Sequence, residues 1–347
     1  MVSLAKFFLS LLRPLGFLYS LLMKARVMLY QNNILRTNKI EAQVISVGNL
    51  TMGGSGKTPI VIYLARLLQM QGYKVAVVSR GYKGKAYKPT NLVSDGNTIL
   101  LNSEEAGDEP RMMAELLPGV AVLTGRKRVF PCQYAAAYLH CDVIILDDGF
   151  QHVSVKRDVD LVLFNKHSLY HKYNVFPAGL LRESFSALKR CDSFVITNCP
   201  VDFNQSVADF IVFLQNKWNS KPLFKTRFVP SHLVNAKGDI FSFDHISEEI
   251  YGFCAIALPR RFQETLNCLP FSLSGFISFP DHYSYSQSCI KDIEDKAIAA
   301  GAKILLTTEK DLVKINHKSV SLPLFAVVME ISADPQFDEF ILRQIKR

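Results

Sequence analysis

Residues 53–58, GGSGKT, place glycines, a lysine and a hydroxyl in the order that grips a phosphate chain. Gly53, Gly54 and Gly56 carry no Cβ, so successive backbone N–H groups can wrap an anion at the positive end of a following helix. Ser55 lies within that wrap, Lys57 supplies a point charge for β- and γ-phosphates, and Thr58 offers a hydroxyl to Mg²⁺. The strict pattern G-x-x-x-x-G-K-[ST] asks for glycine at position 51, where this chain has Thr51. A second group of chemical interest is Asp147-Asp148, two acids directly after the apolar run 143–146. Strand-end carboxylates of this kind can hold the Mg²⁺ that the loop hydroxyl also touches.

These groups need particular elements to position them. Val44, Ile45 and Val47 read as a strand entering the glycine turn, and Ile60, Leu64, Leu67 and Leu68 fall at helical spacing after it. The run 143–146 reads as a strand buried on both faces. Two further strands, in 74–79 and 119–124, end in basic loops, one with Arg80, Lys83, Lys85 and Lys88 and the other with Arg126, Lys127 and Arg128. The first loop is either a solvated turn or a place where a second anionic group is gathered, and the second stands where phosphate contacts are expected. Asp108 and Glu109 stand just ahead of Pro110 and a helical run, where acids commonly cap.

The chain has 347 residues, 49% hydrophobic and 20% charged, which predicts about two folded domains with real cores. Its seven cysteines are odd in number and scattered without a C-x-x-C pair, so neither a zinc site nor a disulfide framework is indicated, and a reducing cytoplasm fits. Of the net charge of +9, six positive charges and no acid lie in residues 1–40. There Ser3, Lys6, Ser10, Arg13, Ser20 and Lys24 form a narrow polar stripe on an otherwise apolar helix, with Pro14 as an expected kink. Arg13 and Pro14 interrupt any run of the ~20 apolar residues that a bilayer span requires. A cleavable signal is disfavoured by the lack of a small-residue site. A core-packing helix competes with a helix lying in the membrane interface, its basic stripe on anionic headgroups, and the second is preferred.

Strand and helix alternate through residue 198, with strands at 160–165 and 192–198, which predicts a parallel doubly wound sheet. The alternation lapses near 205–225, where the expected boundary lies. A smaller α/β unit follows, with strands at 251–257 and 322–331, a helix over 259–266 opening on Pro259, and the further segments 272–279 and 302–315 between them. The expected division is therefore a P-loop domain with its N-terminal helix over 1–215 and a second domain over 216–347. His282, between Asp281 and Tyr283, is the most chemically suggestive histidine. Lys310-Asp311 resembles part of a guanine-reading motif but lacks its asparagine, which disfavours a GTPase. Two other classes compete with an enzyme. A nucleotide switch or partition-type ATPase usually places lysine ahead of the glycines, where Met52 stands. A nucleic-acid-binding module has no fold signature here, and much of the positive charge sits in the apolar helix.

GGSGKTP (53–59), SRGY (79–82), AGDEP (106–110), LDDGFQH (146–152), PAGLLRE (177–183), PDHYSY (280–285) and TTEKD (307–311), in this order, resemble the tetraacyldisaccharide 4'-kinase family of lipid A biosynthesis. The resemblance runs to about residue 315, and the family shares the Thr51 departure. It implies a P-loop NTPase-like α/β fold whose smaller second domain closes over the nucleotide cleft. It further implies a peripheral enzyme on the cytoplasmic face of the bacterial inner membrane, using ATP and Mg²⁺ on a lipid disaccharide, with no nucleic acid involved. Carried over, Asp108 would take the proton of the attacking hydroxyl with His282 as its partner. Lys57 and Thr58 would hold phosphates and metal, Asp147 and Asp148 would form the acidic cluster, and Glu109 would lie near Mg²⁺. Arg80, Tyr82, Arg128, Gln151 and Arg182 would contact substrate, and Glu309 and Lys310 would belong to the adenine side. No motif specifies an oligomeric state.

Overall fold

Residues 12–52, 55–165, 174–199, 205–256, 258–281, 283–316 and 320–345 are described by the computed structural model. The chain divides into two units, Met1–Arg227 with Ile331–Arg347, and Phe228–Glu330.

The first unit begins with α1 (Arg13–Gln31) and continues through β1 (Gln43–Asn49), α2 (Lys57–Met70), β2 (Val75–Ser79), β3 (Asn91–Ser94), α3 (Ser103–Ala106) and α4 (Asp108–Leu116). It goes on with β4 (Ala121–Thr124), α5 (Val129–Ala137), β5 (Val143–Asp147), β6 (Val159–Asn165), β7 (Ser193–Thr197), α6 (Gln205–Lys217) and the start of β8 (Leu223–Asn235). Its strands run in the order β8-β7-β6-β1-β5-β2-β4-β3. All neighbours are parallel except β3, which runs antiparallel to β4. The period-2 alternation of side chains sorts the apolar residues onto two faces. Ile45, Val47, Ile145 and Leu161 pack under Ile60, Leu64 and Leu68 of α2. On the opposite face Val44, Ile144 and Leu146 meet Cys132 and Ala135 of α5, and Phe164, Phe194 and Ile196 meet Phe210 and Leu214 of α6. Helices therefore cover both faces, as an all-parallel sheet of continuous apolar strands requires.

Pro14 stands in the first turn of the described part of α1, where its missing N–H leaves no bond unmade. The kink expected there depends on residues 1–11, which lie outside the described residues. Gly16 and Val27 are buried, whereas Leu15, Phe17, Leu18, Leu21 and Leu22 are exposed. No helix among the described residues is long and apolar enough to cross a membrane.

The second unit contains the rest of β8, β9 (Ile240–Phe241), β10 (Ile250–Cys254), α7 (Pro259–Asn267), β11 (Leu273–Ser278), α8 (Gln287–Ala299), β12 (Ile304–Thr308), α9 (Glu309–Leu312) and most of β13 (Leu324–Ala333). Strands β11, β10, β12 and β13 are parallel neighbours in that order. Tyr251, Phe253 and Leu305 pack on Ile290 and Ile293 of α8; Ile250, Cys254 and Leu306 pack on Phe262 and Leu266 of α7.

The expected division after residue 215 differs from the observed one at both ends. Alternation does not lapse at 205–225, since the polar stretch 216–221 is the end of α6 and the turn that leads on to β8. Leu223, Phe224 and Lys225 then pair with Phe194, Val195 and Ile196 of β7. The chain also returns. Helix α10 (Pro335–Gln344) places Phe337 and Ile341 in the core under α2 beside Phe224. Each such fully buried side chain contributes about 1.5–3 kcal/mol. The Tyr63 hydroxyl of α2 donates to Asp338 at 2.6 Å, which fixes α10 to the helix that follows the glycine loop.

Candidate active site

The carboxyl end of β1 delivers the chain into the glycine loop, and Gly56 turns it into α2 at φ 74°. A Cβ at Gly56 would lie 3.3 Å from the Thr197 hydroxyl in a left-handed conformation that L side chains rarely adopt. Thr197 itself donates to the Ser55 carbonyl at 2.8 Å, so the end of β7 shapes the loop. Lys57 and Thr58 occupy the first turn of α2 and are half-buried. Lys57 Nζ lies 3.5 Å from both Ser55 Oγ and Asp148 Oδ1. Gly53 and Gly54 lie outside the described residues.

Beside β1, strand β5 is in register with Val47 opposite Asp147. Asp147 is buried, and its Oδ2 accepts from the Ser79 hydroxyl at 3.3 Å. Its Oδ1 has no partner among the described residues. Burial, with Asp148 and Glu109 adding negative potential, pushes the Asp147 carboxyl up to about 6. Asp148 turns out of the strand at φ 53°. Burial opposes its ionisation, but Lys57 and Arg182 outweigh that and hold its carboxyl below the usual range. Arg182 Nη1 reaches both Asp148 oxygens at 2.8 Å and Gln151 Oε1 at 3.3 Å. Gln151 Nε2 donates in turn to the Asn49 carbonyl at 3.0 Å.

The segment carrying Arg182 is joined to the loop entry by backbone. Met52 N donates to Leu180 O at 2.7 Å and Arg182 N to Leu50 O at 2.8 Å. Beneath it, Arg190 forms two hydrogen bonds with Glu183, at 2.9 and 3.0 Å, and lies over the Phe150 ring at 4.5 Å. Nothing in the local sequence signals this brace, because its partners come from separate turns.

Three further polar groups stand near this end of the sheet, Asn49 and Arg128 buried and His152 half-buried. Asn49 is fully buried with neither amide atom partnered among the described residues. Arg128 is fully buried; it donates to the Gly125 carbonyl at 3.0 Å while Nε and Nη2 have no partner among the described residues. Burial lowers its guanidinium to about 10, with Asp147 and Asp148 opposing that shift. Burial and then Arg128 depress His152 to about 3, so its imidazole is neutral. Asn49 and His152 were not singled out by type or spacing; the only signal is their position directly after a strand or within LDDGFQH.

Asp108 and Glu109 are the exposed first residues of α4. The capping expectation fails for Asp108, since Gly107 is the N-cap and no side chain caps the helix. The capping box sits one helix earlier, where Asn102 and Glu105 satisfy each other's backbone. Arg80 and Tyr82 follow β2 and are exposed. In the second unit, Lys310 Nζ pairs with Asp281 at 3.0 Å, and Glu309 opens α9. His282 lies outside the described residues.

A family model described as tetraacyldisaccharide-1-P 4'-kinase matches residues 8–346. This chain belongs to that family. It is 44% identical over 331 residues to the tetraacyldisaccharide 4'-kinase of Desulfotalea psychrophila, covering 95% of this chain and 94% of the relative. The kinase of Aquifex aeolicus is 38% identical over 323 residues, covering 92% and 95%. The crystal structure of Aquifex aeolicus LpxK in complex with ATP superposes with a TM-score of 0.72 at 32% identity, covering 98% of this chain and all of that one.

The kinase's residues fit Mg²⁺. A buried carboxylate with one unpartnered oxygen, next to a hydroxyl-bearing helix start, is the donor set expected where Mg²⁺ is bound through one or two carboxylates and substrate phosphates. The raised Asp147 carboxyl also has a stability consequence. An unfolded aspartate titrates near ~3.9, so the folded state of this kinase holds the proton more tightly. That contribution is fully present below about pH 4 and is lost as pH rises through about 6, roughly 3 kcal/mol in all. Asp147→Asn should therefore flatten the fall in stability across this window, measured by urea unfolding with EDTA present. An unchanged slope in the variant would count against the buried, proton-holding carboxyl.

Proposed function

We propose that this protein transfers the γ-phosphoryl group of ATP to the 4'-hydroxyl of a tetraacylated glucosamine disaccharide 1-phosphate. The observation that carries the reading is the convergence of Lys57 and Arg182 on Asp148 beside the unpartnered oxygen of Asp147, where the glycine loop meets α2. The strand order, with β1 between β5 and β6, supports a P-loop NTPase-like assignment.

Phosphoryl transfer needs alignment and charge neutralisation more than covalent chemistry from the protein. In this reading the backbone around Gly53, Gly54, Ser55 and Gly56 cradles phosphate, and Lys57 follows the charge onto the transferring group. Thr58 and Asp147, with Glu109 nearby, would hold Mg²⁺, which supplies charge neutralisation on the β- and γ-phosphates. Asp148 orients Lys57 and Arg182 until phosphate arrives. Asp108 takes the proton of the attacking hydroxyl and His282 steadies the resulting charge. Arg80, Tyr82, Gln151 and Arg182 line the acceptor side. Arg128 acts from beneath as a buried positive charge, and Glu309 and Lys310 serve the adenine side. ADP formation should rise when the detergent-dispersed disaccharide is added and stay at baseline with its 4'-deoxy analogue. Equal rates with both would overturn the reading.

The same reading places the protein peripherally on the cytoplasmic face of the inner membrane through α1. Phe17 at 74% and Leu22 at 61% exposure, with Leu18 and Leu21, leave an apolar surface on that helix. Burying such a face at the headgroup boundary would offset its exposure. Changing Leu18, Leu21 and Leu22 to serine should reduce sedimentation with anionic vesicles several-fold without changing the circular dichroism spectrum. Undiminished sedimentation would move the anchor elsewhere.

A further inference from the structure

Helix α1 touches both of the segments whose side chains meet at Asp148. Near its start Gly16 is buried, and a Cβ there would lie 2.8 Å from the Val175 carbonyl and 3.3 Å from the Ala178 Cβ. The Tyr19 ring meets Phe176 edge-on at 5.9 Å. That segment leads into Arg182, whose Nη1 holds both Asp148 oxygens. Further along the same helix, about 15 Å from Gly16 at the helical rise of ~1.5 Å per residue, Arg26 Nη1 donates to the Gln151 carbonyl at 3.1 Å.

Gln151 is a junction. Its carbonyl is held by Arg26 on α1, while its side chain donates from Nε2 to the Asn49 carbonyl at 3.0 Å and accepts at Oε1 from Arg182 at 3.3 Å. Asn49 ends β1 directly ahead of the glycine loop. The turn around Gln151 is pinned on either side of it: His152 N donates to the Gly149 carbonyl at 2.8 Å, and Asn38 donates to the Ser154 carbonyl from N at 2.8 Å and from Nδ2 at 3.1 Å. The Gln151 carbonyl itself has Arg26 as its partner among the described residues. Without that donor a half-buried carbonyl is left unpaired and free to turn, and the side chain turns with it.

Arg26 is built for this one task. It is half-buried and forms no ion pair among the described residues. Its guanidinium carbon lies 5.5 Å from the centroid of the Tyr30 ring one turn on, which limits the directions it takes.

We propose that Arg26 is a positioning residue for phosphoryl transfer. By holding the Gln151 carbonyl from α1, it aims the Gln151 amide at Asn49 and Arg182 and keeps Arg182 aligned beside Asp148 and the transferring group. Arg26 acts through Gln151 rather than on the reacting atoms, and the inference rests on the kinase reading. A misplacement of about 1 Å caused by a substitution away from the chemistry costs up to about 10²-fold in rate.

The test uses the full chain with detergent-dispersed acceptor and no vesicles, so that docking of α1 on a membrane does not enter. Arg26→Ala should lower kcat by about 10- to 100-fold with little change in the KM for ATP. Arg26→Lys, which keeps a charged donor on a long stem, should recover most of that loss. In a Gln151→Ala background R26A should add little, because the path through the Gln151 side chain is already cut. A role in anchoring α1 alone would raise the acceptor KM and spare kcat. That result would overturn the proposal, as would R26K no better than R26A, or losses in R26A and Q151A that multiply.

Hydrogen exchange supplies a readout that needs no turnover. Amides in 149–155 and 176–182 should exchange several-fold faster in R26A while those of β1 and β5 stay protected. Loss of protection in β1 and β5 as well would assign Arg26 to the fold and overturn the proposal. Faster exchange confined to the two segments, with no turnover even in the wild type, would support the hold of Arg26 on Gln151 and contradict the kinase reading. Turnover in the wild type with unchanged exchange in R26A would do the reverse.

Discussion

Lys57→Ala is expected to lower kcat by about 10³-fold or more while leaving the fold intact. A preorganised donor aimed at developing charge contributes about 10²–10³-fold, and cations on a transferring phosphoryl group contribute more. Lys57 is half-buried in the first turn of α2, 3.5 Å from Asp148. Arg182 remains on both oxygens of that carboxylate when the lysine is removed, so Asp148 is not left without a counter-charge. Only about 0–1 kcal/mol of stability should be lost with such a partly exposed pair. Steady-state kinetics beside a thermal melt checks both halves. Turnover within tenfold of wild type would mean that the glycine loop does not hold the reacting phosphates.

The second large effect concerns proton removal. Asp108 is exposed at the start of α4 with no capping role, which leaves its carboxylate available for chemistry. Asp108→Asn should cost on the order of 10²–10⁴-fold in kcat while ATP still binds, the range of general-base catalysis. His282→Ala should cost a similar amount, and the double variant should be little worse than either single one, since groups acting as one unit are strongly non-additive. The measurement is a double-mutant cycle on kcat with ATP affinity followed alongside. Losses that multiply would reject the pairing, and full turnover in Asp108→Asn would reject Asp108 as the base.

What could be read from the chain alone follows the range of the interactions. Lys57 at a helix start and Asp147 at a strand end are set by local pattern, a glycine turn between a β run and a 3.6-period apolar face. The parallel sheet was legible for the same reason, because buried parallel strands are continuous apolar runs such as 143–146. The brace of Arg182, Gln151, Glu183 and Arg190 was not, since each contact joins residues from different turns. Of these, Gln151 and Arg182 were reached only by family resemblance. The division of the chain misled because α10 returns after the whole second unit to put Phe337 beside Phe224. No window of sequence carries that return. Asp108 is the opposite case: local pattern favoured a cap, and Gly107 at φ 92° holds that position instead.

The central claim is phosphoryl transfer to the 4'-hydroxyl of a lipid disaccharide. Its most direct test incubates purified protein with ATP labelled in the γ-phosphate, Mg²⁺ and the tetraacylated disaccharide 1-phosphate in detergent, followed by separation of lipid from inorganic phosphate and mass spectrometry of the lipid. The expected result is one labelled phosphate added per lipid, on the 4'-oxygen. Label recovered only as inorganic phosphate, at the same rate with and without the acceptor, would contradict the account.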